Sequence, residues 1–411
     1  MKKSHHILVL IFLIFFVISL LTNILGPIIP AIIESYSLSL GLAGFLPFSF
    51  FVAYGVMSLP AGLLVEKYQE KRILLFAFGL AAAGALIFAI NASFTAALVS
   101  LFIIGIGMAM LQVVINPLLR TTGGEANFAF YSVLGQLAFG AASFLSPQLY
   151  SYLVLNIHSG SDISYFRWME AMVPAELAWL SVYWVFALVS IMMILIISTV
   201  KFPKVNLQED EKIELGGKLK NLLQMRIVWL YFLGIFCYVG SEQGIANWIS
   251  KFLQDYHGLD PATTGATTIS YFWGLLTIGC LLGLVLLKLI DSKMVLLIFS
   301  SGAILSLLFA LNGSQSIALV AFPLTGFFLS VMWSVIISLA LNSVSFGHGT
   351  FAGILCSAIV GGAVFPLVIG GFADQFGLQN AMYILLVPLA FILSIGIWAK
   401  PLVANSRIKG I

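Results

Sequence analysis

The sequence predicts an all-α membrane protein with twelve transmembrane helices in two pseudo-symmetric six-helix bundles. Three observations predict it. Of 411 residues, 61% are hydrophobic and only 9% charged, against about 25% charged in soluble domains. Apolar stretches of roughly twenty residues recur along the chain, each long enough to cross a bilayer core as a helix. Lysines and arginines cluster in alternate connections, as the positive-inside rule requires. No soluble fold of this length hides so much apolar surface, so the natural solvent is lipid. Runs this long without alternation exclude a β-barrel.

The spans are 7–34, 41–65, 73–91, 94–119, 126–154, 179–200, 227–253, 262–287, 293–312, 315–343, 349–372 and 379–399. The first stretch resembles a signal peptide, with two lysines and then an apolar core. No small-x-small cleavage site follows, and the segment runs on into Gly26-Pro27-Ile28-Ile29-Pro30, so it reads as the first span. With the N-terminus inside, only Arg167 and Lys251 of the 19 basic residues fall outside. The expected location is a bacterial-type inner membrane, with both termini cytoplasmic.

The longest polar stretch, 201–226, divides the chain into an N-terminal bundle (1–200) and a C-terminal bundle (227–411). A second insert, about 156–178, joins spans five and six, and Pro174-Ala-Glu176 is positioned to open a short helix. The halves echo each other. Gly62 to Arg72 follows span two and Gly283 to Lys293 follows span eight, each a glycine near a helix end and then an acid/base-rich turn. Twinned halves are a transporter signature, with the substrate near the midplane between them.

Polar groups inside spans are costly and therefore informative. Glu242 is the one acid or base deep in any span. It lies about fifteen residues into span seven, roughly 23 Å from the inner end at 1.5 Å per residue. Gly240 and Gly244 flank it and are expected to loosen the helix. Three roles are open to it: binding a proton or cation, hydrogen-bonding a hydroxylated substrate, or serving as a structural acid. Amides and hydroxyls recur at helical spacing elsewhere. Ser19, Thr22 and Asn23 share a face of span one, Gln112 and Asn116 of span four, and Ser132 and Gln136 of span five. Gln243 and Asn247 do so on span seven, and Ser334, Ser338 and Asn342 on span ten beside Trp333. Any one pair is more often glue between helices than a ligand site. Five such faces, rich in amides and poor in charge, suit a neutral, hydroxyl-rich substrate, because amides donate and accept and an indole offers a face to C–H groups.

These residues resemble a known group. The stretch Phe236-Cys-Tyr-Val-Gly-Ser-Glu242-Gln-Gly-Ile-Ala-Asn-Trp248 is similar to the seventh-span motif of the fucose/galactose/glucose permease family in the major facilitator superfamily. Leu111-Gln112-x-x-x-Asn116-Pro117, Ser330-Val-Met-Trp333 and Gly361-Gly-Ala-Val-Phe-Pro366-x-x-x-Gly370 extend the match over the whole chain. The loop carrying Gly62, Glu66, Lys67, Lys71 and Arg72 resembles the superfamily's cytoplasmic signature, which implies a gating role.

The resemblance implies the major facilitator fold and uptake of a monosaccharide by alternating access, driven by protons or, in some relatives, sodium. Two acids that serve proton coupling in the fucose-type branch are replaced here by Gly26 and Gln112. An arginine typical of span eight is replaced by Cys280, and Gln136 sits two places from the family's fifth-span glutamine. Glu242 thereby becomes the leading candidate for ion coupling. The expected substrate contacts are Asn23, Gln112, Asn116, Gln136, Gln243, Asn247, Trp333, Ser334 and Ser338.

No cofactor is expected beyond a co-transported H+ or Na+. The expected partners are a small sugar and membrane lipid, with no nucleic acid, and the chain is expected to act as a monomer. Cys237, Cys280 and Cys356 have no metal-ligand spacing and read as core residues. An enzyme is disfavoured, because no HExxH, GxSxG or phosphate-cradling loop occurs. An exporter of drugs or metabolites and an uncoupled sugar uniporter are the alternative functions.

Overall fold

The computed structural model of the chain describes residues 5–124, 127–159, 168–203 and 217–402, without the side chains of Glu66, Ala129 and Lys218. Half of the predicted linker (204–216), with Lys2, Lys3, Arg167, Arg407 and Lys409, lies outside the described residues. Among the described residues the chain is helical with no strand.

Ten helices are long and apolar enough to cross a membrane: His5–Tyr36, Leu40–Val65, Glu70–Ile90, Phe94–Gly123, Ala175–Thr199, Pro261–Leu289, Ser292–Asn312, Gln315–Leu341, His348–Phe376 and Leu378–Trp398. The other two spans are Phe128–Asn156, span five, and the pair Arg226–Ala246 and Ile249–His257, which together make span seven. These twelve correspond one to one with the predicted spans. The polar insert before span six holds a short 3₁₀ helix, Ala175–Leu180, opening after Pro174 as its sequence suggests.

Packing repeats between the halves. In the first, span two packs on four, three on four and six, and one on five. In the second, span eight packs on ten, nine on ten and twelve, and seven on eleven. The same symmetry governs the seam, where span five of the first half meets span eight and span eleven of the second meets span two.

Spans one and seven are both broken at an asparagine, Asn23 and Asn247. In span one the cause is Pro27. It has no N–H to give the Asn23 carbonyl four residues back, and its ring crowds that carbonyl. Span seven has no proline at its break. There the Trp248 N–H turns to the Ile245 carbonyl, three residues back at 3.0 Å, while Asn247 Nδ2 donates at 2.8 Å to the Gln243 carbonyl, which also keeps its ladder bond from the Asn247 N–H at 3.0 Å. Gly240 and Gly244 lie within the unbroken helix Arg226–Ala246, contrary to expectation. They serve close packing instead: a β-carbon on Gly240 would come within 2.1 Å of the Phe365 ring.

Below, inner denotes the face at the start of span one and outer the opposite face. The outer parts of spans one and seven pack together, and their inner parts make no comparable contact. At the crossing, a β-carbon on Gly26 would lie 2.4 Å from the Ala246 carbonyl oxygen, so only glycine allows this approach. Gln148 of span five donates to Ser270 of span eight at 3.1 Å on the same side. The seam is therefore closed outside and parted inside.

Candidate functional site

A cavity of about 470 Å³ occupies the seam between the halves, within the roughly 300–1,000 Å³ usual for small-molecule sites. It begins at the breaks of spans one and seven and reaches inward to Leu287, near the inner end of span eight.

Glu242 lines the cavity. Its position follows from the helix: Tyr238 stands one turn earlier on the same face, and its hydroxyl donates to Glu242 Oε1 at 2.6 Å. Gln243 Nε2 approaches Oε2 at 3.5 Å, a longer and weaker contact. Among the described residues no Lys or Arg lines the cavity, and Glu242 is the one carboxyl that does. A carboxylate without a cationic neighbour becomes costly wherever water is excluded from it. Trp333 packs near Tyr238, ring centroids 6.1 Å apart, and ties span ten to the acid's donor.

On the opposite wall Asn23 Nδ2 donates to Ser143 Oγ at 2.9 Å and to Ser19 Oγ at 3.3 Å, and the two serines bond each other at 2.6 Å. This cluster joins span one to span five. Both donor hydrogens of Asn23 are directed at the serines. Gln112 Oε1, Ser132 Oγ, Ser330 Oγ and Trp273 Nε1 are buried without a protein partner and belong to cavity-lining residues. Three can accept, and the indole can only donate. These atoms are shielded from the open cavity, so it is their residues, not these atoms, that make up its uncharged polar wall.

Of the residues singled out from sequence, the structure brings together Asn23, Gln112, Gln136, Glu242, Gln243, Trp333 and Ser334 around the cavity. Three others stand apart. Asn116 is exposed, one turn further inward on span four. Ser338 is exposed near the inner end of span ten and accepts from Asn342 Nδ2 at 3.4 Å. Asn247 is buried behind Gln243, donating to its carbonyl at 2.8 Å and to Oε1 at 3.3 Å, so it holds that amide rather than facing the cavity.

Among the described residues, the Lys67 and Lys71 contacts of the 62–72 loop stay within the first half. Lys71 Nζ donates to the carbonyls of Ser198 and Val200 at 2.6 and 2.8 Å, closing the end of span six. The Lys67 ammonium lies 5.4 Å from the Tyr68 ring centroid, Gly62 is buried and Arg72 is exposed. The Glu66 side chain lies outside the described residues.

Sequence reasoning missed Ser143, and on span eight Trp273, Thr277 and Cys280. The last three are spaced four and three apart, a helical stripe that was legible but mostly apolar. Cys280 Sγ meets the Ser330 carbonyl, 3.2 Å away, at the break of span ten.

Residues 11–355 match the Major Facilitator Superfamily. The glucose/galactose transporter of Brucella abortus (strain 2308) is 31% identical over 391 residues, 94% of this chain and 92% of that one. The L-fucose-proton symporter of Escherichia coli (strain K12) is 24% identical over 383 residues, 88% and 86% of the two chains. Among solved structures, the E. coli fucose:proton symporter aligns with a TM-score of 0.68 at 20% identity, over 97% of this chain and all of that one. A bacterial homolog of the human lysosomal transporter Spinster, inward-facing and unoccupied, aligns at 0.76 with 14% identity over 97% of each chain. Both structural likenesses speak to the fold.

Proposed function

The chain belongs to the major facilitator superfamily, in its fucose/galactose/glucose permease family, and from that premise we propose that it is a secondary transporter importing a neutral hexose or hexose derivative, coupled to a proton or sodium gradient through Glu242. The observation that carries this reading is a single carboxyl, held by Tyr238, in a cavity whose other polar walls are amides, hydroxyls and an indole. The sugar is neutral, and so are the groups that would bind it. The ion is charged and meets the one acid. The relatives named as glucose/galactose transporter and L-fucose-proton symporter support a sugar as cargo.

The cycle follows from the two-half architecture. Sugar and cation enter from outside, and neutralising Glu242 lowers the cost of closing the site. The halves then rock about the seam to the inward-open form. Sugar shifts this equilibrium only through its different affinity for the two forms. The lysine and arginine distribution supports an N-terminus in the cytoplasm of a bacterial-type inner membrane.

Purified chain in proteoliposomes tests the reading, with labelled glucose, galactose and fucose offered under a proton gradient, a sodium gradient or neither. Accumulation of one of these sugars above equilibrium under one gradient supports it. Exchange that ignores both gradients makes the protein a uniporter, and no saturable sugar flux overturns the reading.

A further inference from the structure

Besides the Gln148–Ser270 bond, a second polar contact joins the halves away from the cavity and has no part in binding sugar or ion. Asp374 stands near the outer end of span eleven. Its Oδ1 accepts from the Leu40 amide at 2.8 Å and its Oδ2 from the Gly41 amide at 3.0 Å, across a separation of 334 residues in the chain. Ser39 Oγ accepts from the next amide, Leu42, at 3.2 Å. Of the first three amides of span two, the opposite half thus satisfies two. The approach depends on small residues on both sides. A β-carbon on Gly370 would lie 2.3 Å from the Leu40 carbonyl oxygen, and one on Gly44 would lie 2.8 Å from the Leu367 Cα.

We propose that Asp374 is the outer latch of the transport cycle, its carboxylate clasping the first two amides of span two only while the outer side is closed. This inference rests on the alternating-access reading above. When the outer side opens, span eleven must leave the start of span two, and both amides and the carboxylate return to water. A bond made in one form and absent from the other biases the balance between them. Hydrogen bonds to a charged group are among the stronger ones in a protein. The Asp374 side chain is exposed, which reduces the effect. A shift of about tenfold in the balance remains, the equivalent of one such bond.

A reporter for outer opening exists at Ile269, buried at the closed crossing against Gly26. Ile269→Cys, in a full-length chain with Cys237, Cys280 and Cys356 replaced by serine, places a thiol that a bulky maleimide reaches only when the outer seam parts. The modification rate is measured in detergent without sugar. Asp374→Ala is expected to raise that rate about tenfold, and Asp374→Asn, which keeps one acceptor, to raise it less. A rate within twofold of the parent in both variants overturns the latch. If Asp374→Ala does not elute as a folded monodisperse species, the isosteric Asp374→Asn decides alone, since it must still exceed the parent by more than twofold. Because no sugar is present, an unchanged rate leaves the sugar assignment standing. Failure of sugar transport in proteoliposomes, in turn, leaves this measurement intact.

Discussion

The Tyr238 hydroxyl donates to Glu242 Oε1 at 2.6 Å, one helical turn apart on the cavity face of span seven. That bond holds the carboxyl at a defined place in the seam and stabilises its charged form. Without it, a cation or proton competes against one fewer donor. We therefore expect Tyr238→Phe to transport with half-maximal rate at about tenfold lower coupling-ion concentration, given one hydrogen bond to a charged group. Ion titration of uptake at saturating sugar measures this. An unchanged ion dependence would remove Tyr238 from the coupling site.

Gln112 and Gln136 both line the cavity from the first half, whereas Asn116 lies a turn further inward and exposed. Gln112→Ala and Gln136→Ala should each weaken sugar binding about tenfold, the loss of roughly one hydrogen bond. Asn116→Ala should stay within twofold. Isothermal titration of the three variants separates cavity residues from neighbours that merely share helical spacing.

Cys280 lines the cavity, whereas Cys237 and Cys356 do not. N-ethylmaleimide should abolish transport through Cys280, bound sugar should slow the inactivation, and Cys280→Ser should resist it. Mass spectrometry of the modified chain checks the site. Inactivation that persists in Cys280→Ser would place the sensitive thiol elsewhere.

A side chain at Gly26 has no room beside the Ala246 carbonyl while the outer seam is closed. Gly26→Val should therefore bind sugar but turn over more than tenfold slower, because overpacking of about 1–3 kcal/mol falls on the outward-closed form alone. Binding and counterflow measured on the same preparation test this split.

Much of this arrangement was written in the chain. Twelve apolar runs gave the spans, and the lone acid Glu242 stood out because an intramembrane charge is rare. The break of span one was also legible, since Pro27 lies four residues after Asn23. The break of span seven was not, because no proline marks the place where the Trp248 N–H turns to the Ile245 carbonyl, and the conspicuous Gly240 drew attention to the wrong turn. Helical spacing put Gln243 and Asn247 on one face, but only helix rotation decides which of them meets the cavity. Trp273 was hidden for the opposite reason. An indole in an apolar run reads as core, and its unpartnered N–H becomes visible only when the halves are assembled.

The claim that Glu242 couples ion to sugar is tested most directly by Glu242→Gln in proteoliposomes, comparing gradient-driven accumulation with sugar counterflow. The neutral side chain keeps an acceptor for Tyr238 but cannot exchange charge with a gradient. The account predicts that accumulation is lost while counterflow persists. Accumulation at the wild-type level under the same gradient would contradict it.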